Sequence, residues 1–434
     1  MIKAILVIIT TAIVSLYYFP FPLTFLPGVT GKTIMAVIGL VMFGYQHACK
    51  KKSDFDSNIY ELLIWAIIIS IVGLFSVVYN NTPDYTYATY IISMSVWLSA
   101  AYVVCSLIKT VHGYISFPLI CNYLIIVCVG QCILALMIDF MPSMKAIAVA
   151  IMGPQDDMEN MKRLYGIGAS LDTAGIRFSV VLVIIAFGLT RIGDFFNKKY
   201  IWIYIMAFLV LAVIGNMMAR TTSVGVIMGL LYLIYASGNS SGVSRWKIFL
   251  WMLFLVVALT PIIIYFYNTN TAIHKYVRFA FEGFFSFFET GKWEVGSNEI
   301  LKSMYVFPET LKTWIIGDGY FLNPSDIDSY YTGKIYGGYY MGTDVGYLRF
   351  IFYFGLIGLI AFSIFIYKTY RICYQRFPYM KDLFFMILLI NFIVWFKVST
   401  DIFLVFALFL MVDKTDNEKM EKQTCNKTVN ISPT

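Results

Sequence analysis

The sequence is poor in charged residues, in histidine and in metal-binding patterns, and each shortage excludes a class of protein. Charged side chains make up 13% of the 434 residues. Soluble domains carry about a quarter, so a soluble globular domain is excluded. Three histidines and the lack of any Cys-x-x-Cys motif predict no zinc site. We therefore expect neither a metal ion nor a cofactor.

The predicted outer segments contain no cysteine, so they cannot be stabilised by disulfides. The seven cysteines fall in predicted helices or on the predicted inner face, so no disulfide framework is expected outside the membrane. The short alternating pattern of an outer-membrane barrel is missing as well.

Long apolar runs dominate the chain. Hydrophobic residues make up 59% of it, and its mean hydropathy is +0.75. A run of about 20 apolar residues can cross a hydrocarbon core of roughly 30 Å, and in lipid it must be helical. The sequence therefore predicts an all-α, polytopic membrane protein with about twelve transmembrane helices. The predicted spans are residues 4–19, 33–48, 59–79, 87–108, 117–139, 174–190, 201–216, 221–237, 247–267, 345–367, 382–396 and 399–412.

Lysine and arginine predict the orientation of these spans, because they are enriched in cytoplasmic connections. With the N-terminus inside, the inner connections hold most of them, including Lys50, Lys51 and Lys52. The net charge of +7 follows from this bias and does not indicate nucleic-acid binding. We expect an uncleaved first helix and both termini in the cytoplasm.

Two outer segments set the domain organisation. The first nine helices occupy residues 1–267 and include an outer loop at 140–173. A large outer loop follows at 268–344, helices ten to twelve occupy 345–412, and a cytoplasmic tail takes 413–434. Loops on a rigid scaffold commonly carry function, so the large loop is the first place to look for it.

The large loop is acidic and aromatic, unlike the rest of the chain. Apolar positions at helical spacing predict an amphipathic helix at the membrane surface over Thr271–Phe288. A second short helix is expected to have Ser297 as its N-cap, and Thr343 or Asp344 is expected to cap the next membrane helix. The tyrosines and tryptophans either stack on sugars or form an interfacial aromatic belt.

Four arginines lie near the outer ends of predicted spans: Arg163, Arg177, Arg220 and Arg349. Charges at such depth are costly and are functional hypotheses by default. Because arginine binds phosphate in a bidentate manner, the set predicts an outer-leaflet site for a phosphorylated lipid. Thr221 follows Arg220 at a helix start, where anions are favoured. The alternative is that each arginine snorkels to headgroups or pairs with a carboxylate.

Three carboxylates are candidates for the general base that activates an attacking hydroxyl: Asp344, Glu299 and Asp318. The alternatives are an N-cap for Asp344, a turn residue for Asp318 and a solvated side chain for Glu299. Arg349, five residues after Asp344, is expected to lie too far round the helix for an ideal pair. His274 is the one histidine predicted to lie outside, and it is a weaker candidate.

Short glycine and arginine motifs, in this order and placement, resemble the O-antigen polymerase (Wzy) and O-antigen ligase superfamily. They are Arg163–Gly166, Arg220–Thr222, Ile316–Phe321, Gly342–Leu348 and Gly355–Gly358. The resemblance covers roughly residues 160–360 together with the number of helices. It implies an architecture of the GT-C kind in the bacterial inner membrane, with residues 268–344 in the periplasm.

The resemblance also implies an activity. Members of the superfamily act on glycans linked to undecaprenyl pyrophosphate, and a polymerase transfers the growing chain onto a new lipid-linked repeat unit. The arginines would hold the pyrophosphate leaving group. The implied partners are this lipid-linked oligosaccharide, membrane lipids and a chain-length regulator.

Two alternatives stay open beside the polymerase. Ligases typically carry a histidine just before the helix with the Gly-Leu-Ile-Gly element, and here that neighbourhood has Asp344, which favours the polymerase. A transporter of lipid-linked glycan would place its charges in a central cavity and lack a long outer loop, whereas here the arginines cluster at one predicted face. A loop that only binds a partner is the least specific interpretation.

Overall fold

The computed structural model of the chain is almost entirely α-helical. It describes residues 2–24, 26–49, 58–154, 163–193, 195–235, 245–323 and 338–412. The predicted tail, 413–434, lies outside the described residues. The helices are α1 (Ile2–Tyr18), α2 (Gly31–Ala48), α3 (Asn58–Asn80), α4 (Tyr90–His112), α5 (Phe117–Phe140), α6 (Pro142–Met152), α7 (Leu171–Thr190), α8 (Ile201–Met218), α9 (Thr222–Tyr235), α10 (Arg245–Thr269), α11 (Thr271–Ala280), α12 (Glu282–Thr290), α13 (Gly296–Ser303), α14 (Leu311–Ile315), α15 (Gly346–Arg376), α16 (Lys381–Val394) and α17 (Phe403–Leu410).

Short elements connect these helices. Two antiparallel strands, β1 (Pro22–Leu23) and β2 (Leu26–Thr30), form a hairpin between α1 and α2. Single 3-10 turns cover Lys198–Tyr200, Tyr340–Gly342 and Pro378–Met380.

Seven helices in the described part of the chain are long and apolar enough to cross a membrane: α3, α4, α5, α7, α8, α10 and α15. This is the composition of a multi-pass membrane protein. The other five predicted spans are also helical and correspond to α1, α2, α9, α16 and α17. Helix α6 was not predicted, because its eleven residues are too few for a span and were interpreted as loop.

The chain forms two compact units. Unit 1 comprises Met1–Gly44, Ser99–Phe285 and Ala407–Thr434, and unit 2 comprises Tyr45–Leu98 and Ser286–Phe406.

Helix α7 forms the core of unit 1, and its residues from Ala174 to Thr190 are buried except Arg177. Helix α9 packs against it at very short range. A Cβ added at Gly225 would collide with the backbone of Ser179, so only glycine allows this approach. The start of α9 is thereby fixed against the first turns of α7.

Helices α3 and α15 form the centre of unit 2. Helix α15 is kinked at Phe354 and Gly355, where Gly355 has φ 69°. Ser76 on α3 donates a hydrogen bond of 2.7 Å to the carbonyl of Tyr353 beside this kink. A polar group released by the break is therefore satisfied by the neighbouring helix.

Three local predictions in the large loop were wrong. The amphipathic stretch is two helices, α11 and α12, because Phe281 leaves helical geometry between them. Helix α13 has Val295 as its N-cap instead of Ser297, and Val295 is itself buried. The N-cap of α15 is Val345, without a side-chain cap, because Asp344 is directed to Arg349 instead.

Candidate functional site

Two of the predicted arginines meet on one aromatic ring in unit 1. The guanidinium carbon of Arg220 lies 4.1 Å from the ring centroid of Phe279, and that of Arg163 lies 5.0 Å from the same centroid. Both contacts are within the range of cation–π attraction. We call Arg163 and Arg220, which stack on the ring of Phe279, the arginine pair.

Helices α11 and α12 hold Arg220 at two further points. Its Nε donates a hydrogen bond of 3.0 Å to the carbonyl of Phe279, and its Nη2 lies 2.6 Å from Oε2 of Glu282. Burial lowers the pKa of Arg220, while the carboxylate of Glu282 raises it and the charge of Arg163 lowers it. The guanidinium is thus a positive charge held partly out of water.

The turn that carries Arg220 is fixed by hydroxyl groups. Thr221 donates from its hydroxyl to a carboxylate oxygen of Asp172, and Ser179 donates to the carbonyl of Thr221 at 3.0 Å. Ser223 donates to the side-chain oxygen of Asn216 at 2.6 Å. The hydroxyl of Thr221, a predicted anion-binding group, thus supports the turn through Asp172.

A buried glutamine holds the segment that follows Arg163. Gln131 on α5 accepts a hydrogen bond from the amide of Ile167 and donates one to its carbonyl, both at 2.9 Å. The amide of Leu164 donates to the carbonyl of Met217 at 3.2 Å. Within the described ranges, the buried Nε of Arg163 has no hydrogen-bond partner.

Arg177 has a separate environment in unit 1. Its guanidinium carbon lies 5.5 Å from the ring centroid of Phe19, and its carbonyl accepts a hydrogen bond of 3.2 Å from the hydroxyl of Tyr18. The structure therefore brings Arg163 and Arg220 together, while Arg177 stacks on another ring.

A carboxylate at the end of α5 contacts the same helix as the arginine pair. The hydroxyl of Tyr276 on α11 donates a hydrogen bond of 2.5 Å to Oδ1 of Asp139. Asp139 also lines a cavity of about 40 Å³ in unit 1. The cavity is lined by Ala135, Ile138, Asp139, Lys145, Leu164 and Tyr165.

Arg349 lies in unit 2 and is only 4% exposed. Its guanidinium carbon lies 3.6 Å from the ring centroid of Phe321 and 3.9 Å from that of Tyr339. It donates hydrogen bonds to the hydroxyl of Ser399 at 2.6 Å and to the carbonyl of Phe321 at 3.1 Å. Arg349 is thus enclosed by protein groups.

Asp344 and Arg349 were expected not to form an ideal pair, and they form a long ion pair. Oδ1 of Asp344 lies 3.7 Å from Nη1 of Arg349. Asp344 precedes the first residue of α15, so the angular spacing of a helix does not apply to it. Among the candidate bases, Asp344 is therefore the one that neutralises a buried arginine.

The other two candidate carboxylates of unit 2 are paired with lysines. Asp318 accepts hydrogen bonds of 2.9 Å from Lys312 and from the hydroxyl of Thr313. Glu299 forms a 2.7 Å pair with Lys302, and both side chains are largely exposed. These contacts have the geometry of a supported turn and of a surface ion pair.

His274 is exposed, at the start of α11. Its ring stacks on that of Tyr267 with 4.2 Å between centroids. Among the described residues, no group of three or more histidine, cysteine, aspartate or glutamate side chains could hold a metal ion.

Two of the glycine motifs identified in the sequence contact each other in unit 2. A Cβ at Gly317 would approach the carbonyl of Tyr353 and the amide of Phe354, and a Cβ at Gly355 would collide with the carbonyl of Ile315. Gly317 and Gly355 both have positive φ, which favours glycine. The motifs at 316–321 and 355–358 therefore form one backbone contact.

Comparisons with known proteins add no relative. No protein-family model matches the chain, and no curated protein matches its sequence.

Sequence reasoning missed four residues that surround the arginine pair: Gln131, Asp139, Tyr276 and Phe279. The position of Asp139 could have been recognised from the sequence, because it is a charged residue at the outer end of a predicted span. The four arginines were identified by the same criterion. For Gln131, Tyr276 and Phe279 the sequence offers no signal of this kind, since their partners are distant along the chain.

Proposed function

We propose that the chain is a membrane glycan transferase of the O-antigen polymerase kind. It would transfer a glycan from undecaprenyl pyrophosphate onto a lipid-linked repeat unit at the periplasmic face of the bacterial inner membrane. The observation that carries the proposal is the arginine pair, in which two guanidiniums from connections between apolar helices share the ring of Phe279.

The chemistry requires such a pair. As the bond between the anomeric carbon and the pyrophosphate oxygen breaks, negative charge accumulates on the leaving group. Two guanidiniums oriented in advance stabilise that charge without reorganisation, and such electrostatic stabilisation is usually the largest catalytic contribution. Arginine also donates two parallel hydrogen bonds to a phosphate. In this proposal Arg163 and Arg220 bind the pyrophosphate.

Two contacts within the units agree with the alternation of the proposed spans. In unit 1, Thr24 donates a hydrogen bond of 2.8 Å to the carbonyl of Ala150. In unit 2, the amide of Phe321 donates to Asp84 at 2.8 Å. Each contact joins two segments that alternating spans place on the outer side. The contacts therefore agree with the alternation of the spans, while the lysine and arginine bias favours a periplasmic position for residues 268–344.

Arg349 and Asp344 have a different role in the proposal. Because Arg349 is enclosed by Phe321, Tyr339 and Ser399, it holds the segments around the start of α15 and does not bind the lipid pyrophosphate. Asp344 supplies its counter-charge. We prefer a polymerase to a ligase because ligases typically have a histidine just before this helix. In this chain Asp344, paired with Arg349, lies there.

A transporter of lipid-linked glycan is the alternative from a different class. Charges in a transport path are expected in a central cavity along the spans. The arginine pair instead lies in the connections next to α7 and α9, outside the helical runs, which favours an enzyme.

The test is Arg220→Ala in cells that make the corresponding surface polysaccharide. Long chains should disappear from the polysaccharide ladder on a gel while single repeat units are still attached. The matched control is Arg191→Ala, since Arg191 also stacks on a phenylalanine, Phe187, at 4.4 Å. Arg191 follows the last residue of α7, roughly 28 Å along the helix axis from Asp172 in its first turn. Asp172 is the residue that binds Thr221 next to Arg220. A normal ladder from Arg220→Ala would refute the proposal.

A further inference from the structure

Helix α11 brings a carboxylate to the arginine pair. Tyr276 and Phe279 are three residues apart on α11, so their side chains lie on the same face of the helix, with Cβ atoms about 5–6 Å apart. Tyr276 holds Asp139 through a 2.5 Å hydrogen bond, and Phe279 carries the two guanidiniums. One helical face therefore carries both the contact to the carboxylate of Asp139 and the contacts to the two arginines.

A second connection joins the same groups. Leu164 and Tyr165 follow Arg163 directly in the chain, and both line the cavity that Asp139 borders. At about 40 Å³, the cavity is large enough for more than one water molecule. The cavity therefore lies between Asp139 and the two residues that follow Arg163 in the chain.

Two other carboxylates near the arginine pair in the described part of the chain already have partners. Glu282 is the counter-ion of Arg220, and Asp172 accepts from the hydroxyl of Thr221. In the described part of the chain, Asp139 accepts a hydrogen bond from Tyr276 alone and is an exposed residue. Its second oxygen is accordingly accessible to a substrate, while the first is oriented by the tyrosine.

We propose that Asp139 is the general base of the transfer, a role that rests on the proposed function. The acceptor sugar hydroxyl gives its proton to a carboxylate oxygen of Asp139 as its oxygen forms a bond to the anomeric carbon of the donor glycan. The bond from that carbon to the pyrophosphate oxygen breaks, and its electron pair leaves with the pyrophosphate on Arg163 and Arg220. Tyr276 orients the carboxylate. A positioned base of this kind contributes roughly 10²- to 10⁴-fold to the rate.

The experiment uses Asp139→Asn in the full-length chain. Asparagine has the same shape and still accepts the hydrogen bond of Tyr276, but it does not take up a proton. Chain growth on lipid-linked repeat units should fall by roughly 100-fold or more. Binding of undecaprenyl pyrophosphate, measured with the purified protein in detergent, should be at least as tight as for the unmodified chain, because a negative charge has been removed.

Two further variants separate the possible outcomes. Glu309→Gln, at an exposed carboxylate in unit 2, should grow chains normally, and Tyr276→Phe should reduce the rate less than Asp139→Asn. Normal chain growth by Asp139→Asn, with Arg220→Ala inactive, overturns the role of Asp139 and leaves the polymerase proposal intact. Loss of undecaprenyl pyrophosphate binding by Asp139→Asn also overturns the assignment. Normal growth by Arg220→Ala would instead overturn the polymerase proposal itself.

Discussion

Phe279 holds Arg220 with both its side chain and its backbone. The ring centroid lies 4.1 Å from the guanidinium carbon, and the carbonyl of the same residue accepts a 3.0 Å hydrogen bond from Nε. The direction of the guanidinium therefore depends on how α11 packs against the turn after α8. Since Arg163 stacks on the same ring, one aromatic residue orients two positive charges.

Replacing that ring by leucine tests its contribution. Phe279→Leu keeps the backbone carbonyl and most of the apolar volume but removes both cation–π contacts, each of which contributes about 0.5–2 kcal/mol. We expect the free energy of unfolding in detergent to fall by about 1–4 kcal/mol and the polysaccharide ladder to shorten. Phe288→Leu is the control, because Phe288 on α12 is 83% exposed. Equal effects of the two substitutions would contradict the role of the ring.

The pair of Arg349 and Asp344 predicts a non-additive double substitution. Arg349→Met removes the cation beside a half-buried carboxylate and should destabilise the protein by about 3 kcal/mol, near the lower limit for breaking a buried ion pair. Adding Asp344→Asn should recover part of this loss, with a coupling free energy of about 0.5–3 kcal/mol. Thermal unfolding of the two single variants and the double variant measures the cycle. Strict additivity would show that the two charges do not interact.

The kink of α15 predicts a requirement for glycine at one position. Gly355→Ala places a Cβ at φ 69° and against the carbonyl of Ile315, so we expect a loss of roughly 3 kcal/mol in the free energy of unfolding. Gly130→Ala on α5 is the matched control, because a Cβ there has no atom within 4 Å. It should be neutral or stabilise the helix by up to about 1 kcal/mol. Unfolding temperatures that rank the two variants in the opposite order would refute this explanation of the kink.

The sequence was sufficient to predict the helices and to select the arginines as candidate site residues. Each of the twelve predicted spans contains a helix within the described residues, and seven of these helices are long and apolar enough to cross a membrane. The helices were predictable because hydropathy and the need to satisfy backbone groups in lipid are local properties of a segment. The membrane depth of Arg163 and Arg220 stays a prediction. Predictions that depended on one or two side chains at a helix start failed at Ser297 and Asp344, where packing and charge pairing determined the cap.

Tertiary structure determined which of these residues act together. Arg163, Arg220 and Phe279 come from three separate segments, and Asp139 reaches them through Tyr276, more than a hundred residues away in the chain. The partner of a polar side chain is set by long-range packing and by the high free-energy cost of leaving that group unpaired when buried. Hydropathy along the chain therefore determined a nearly all-helical membrane protein with arginines near the ends of its predicted spans. Only the fold selected two of those arginines and assigned the others to different partners.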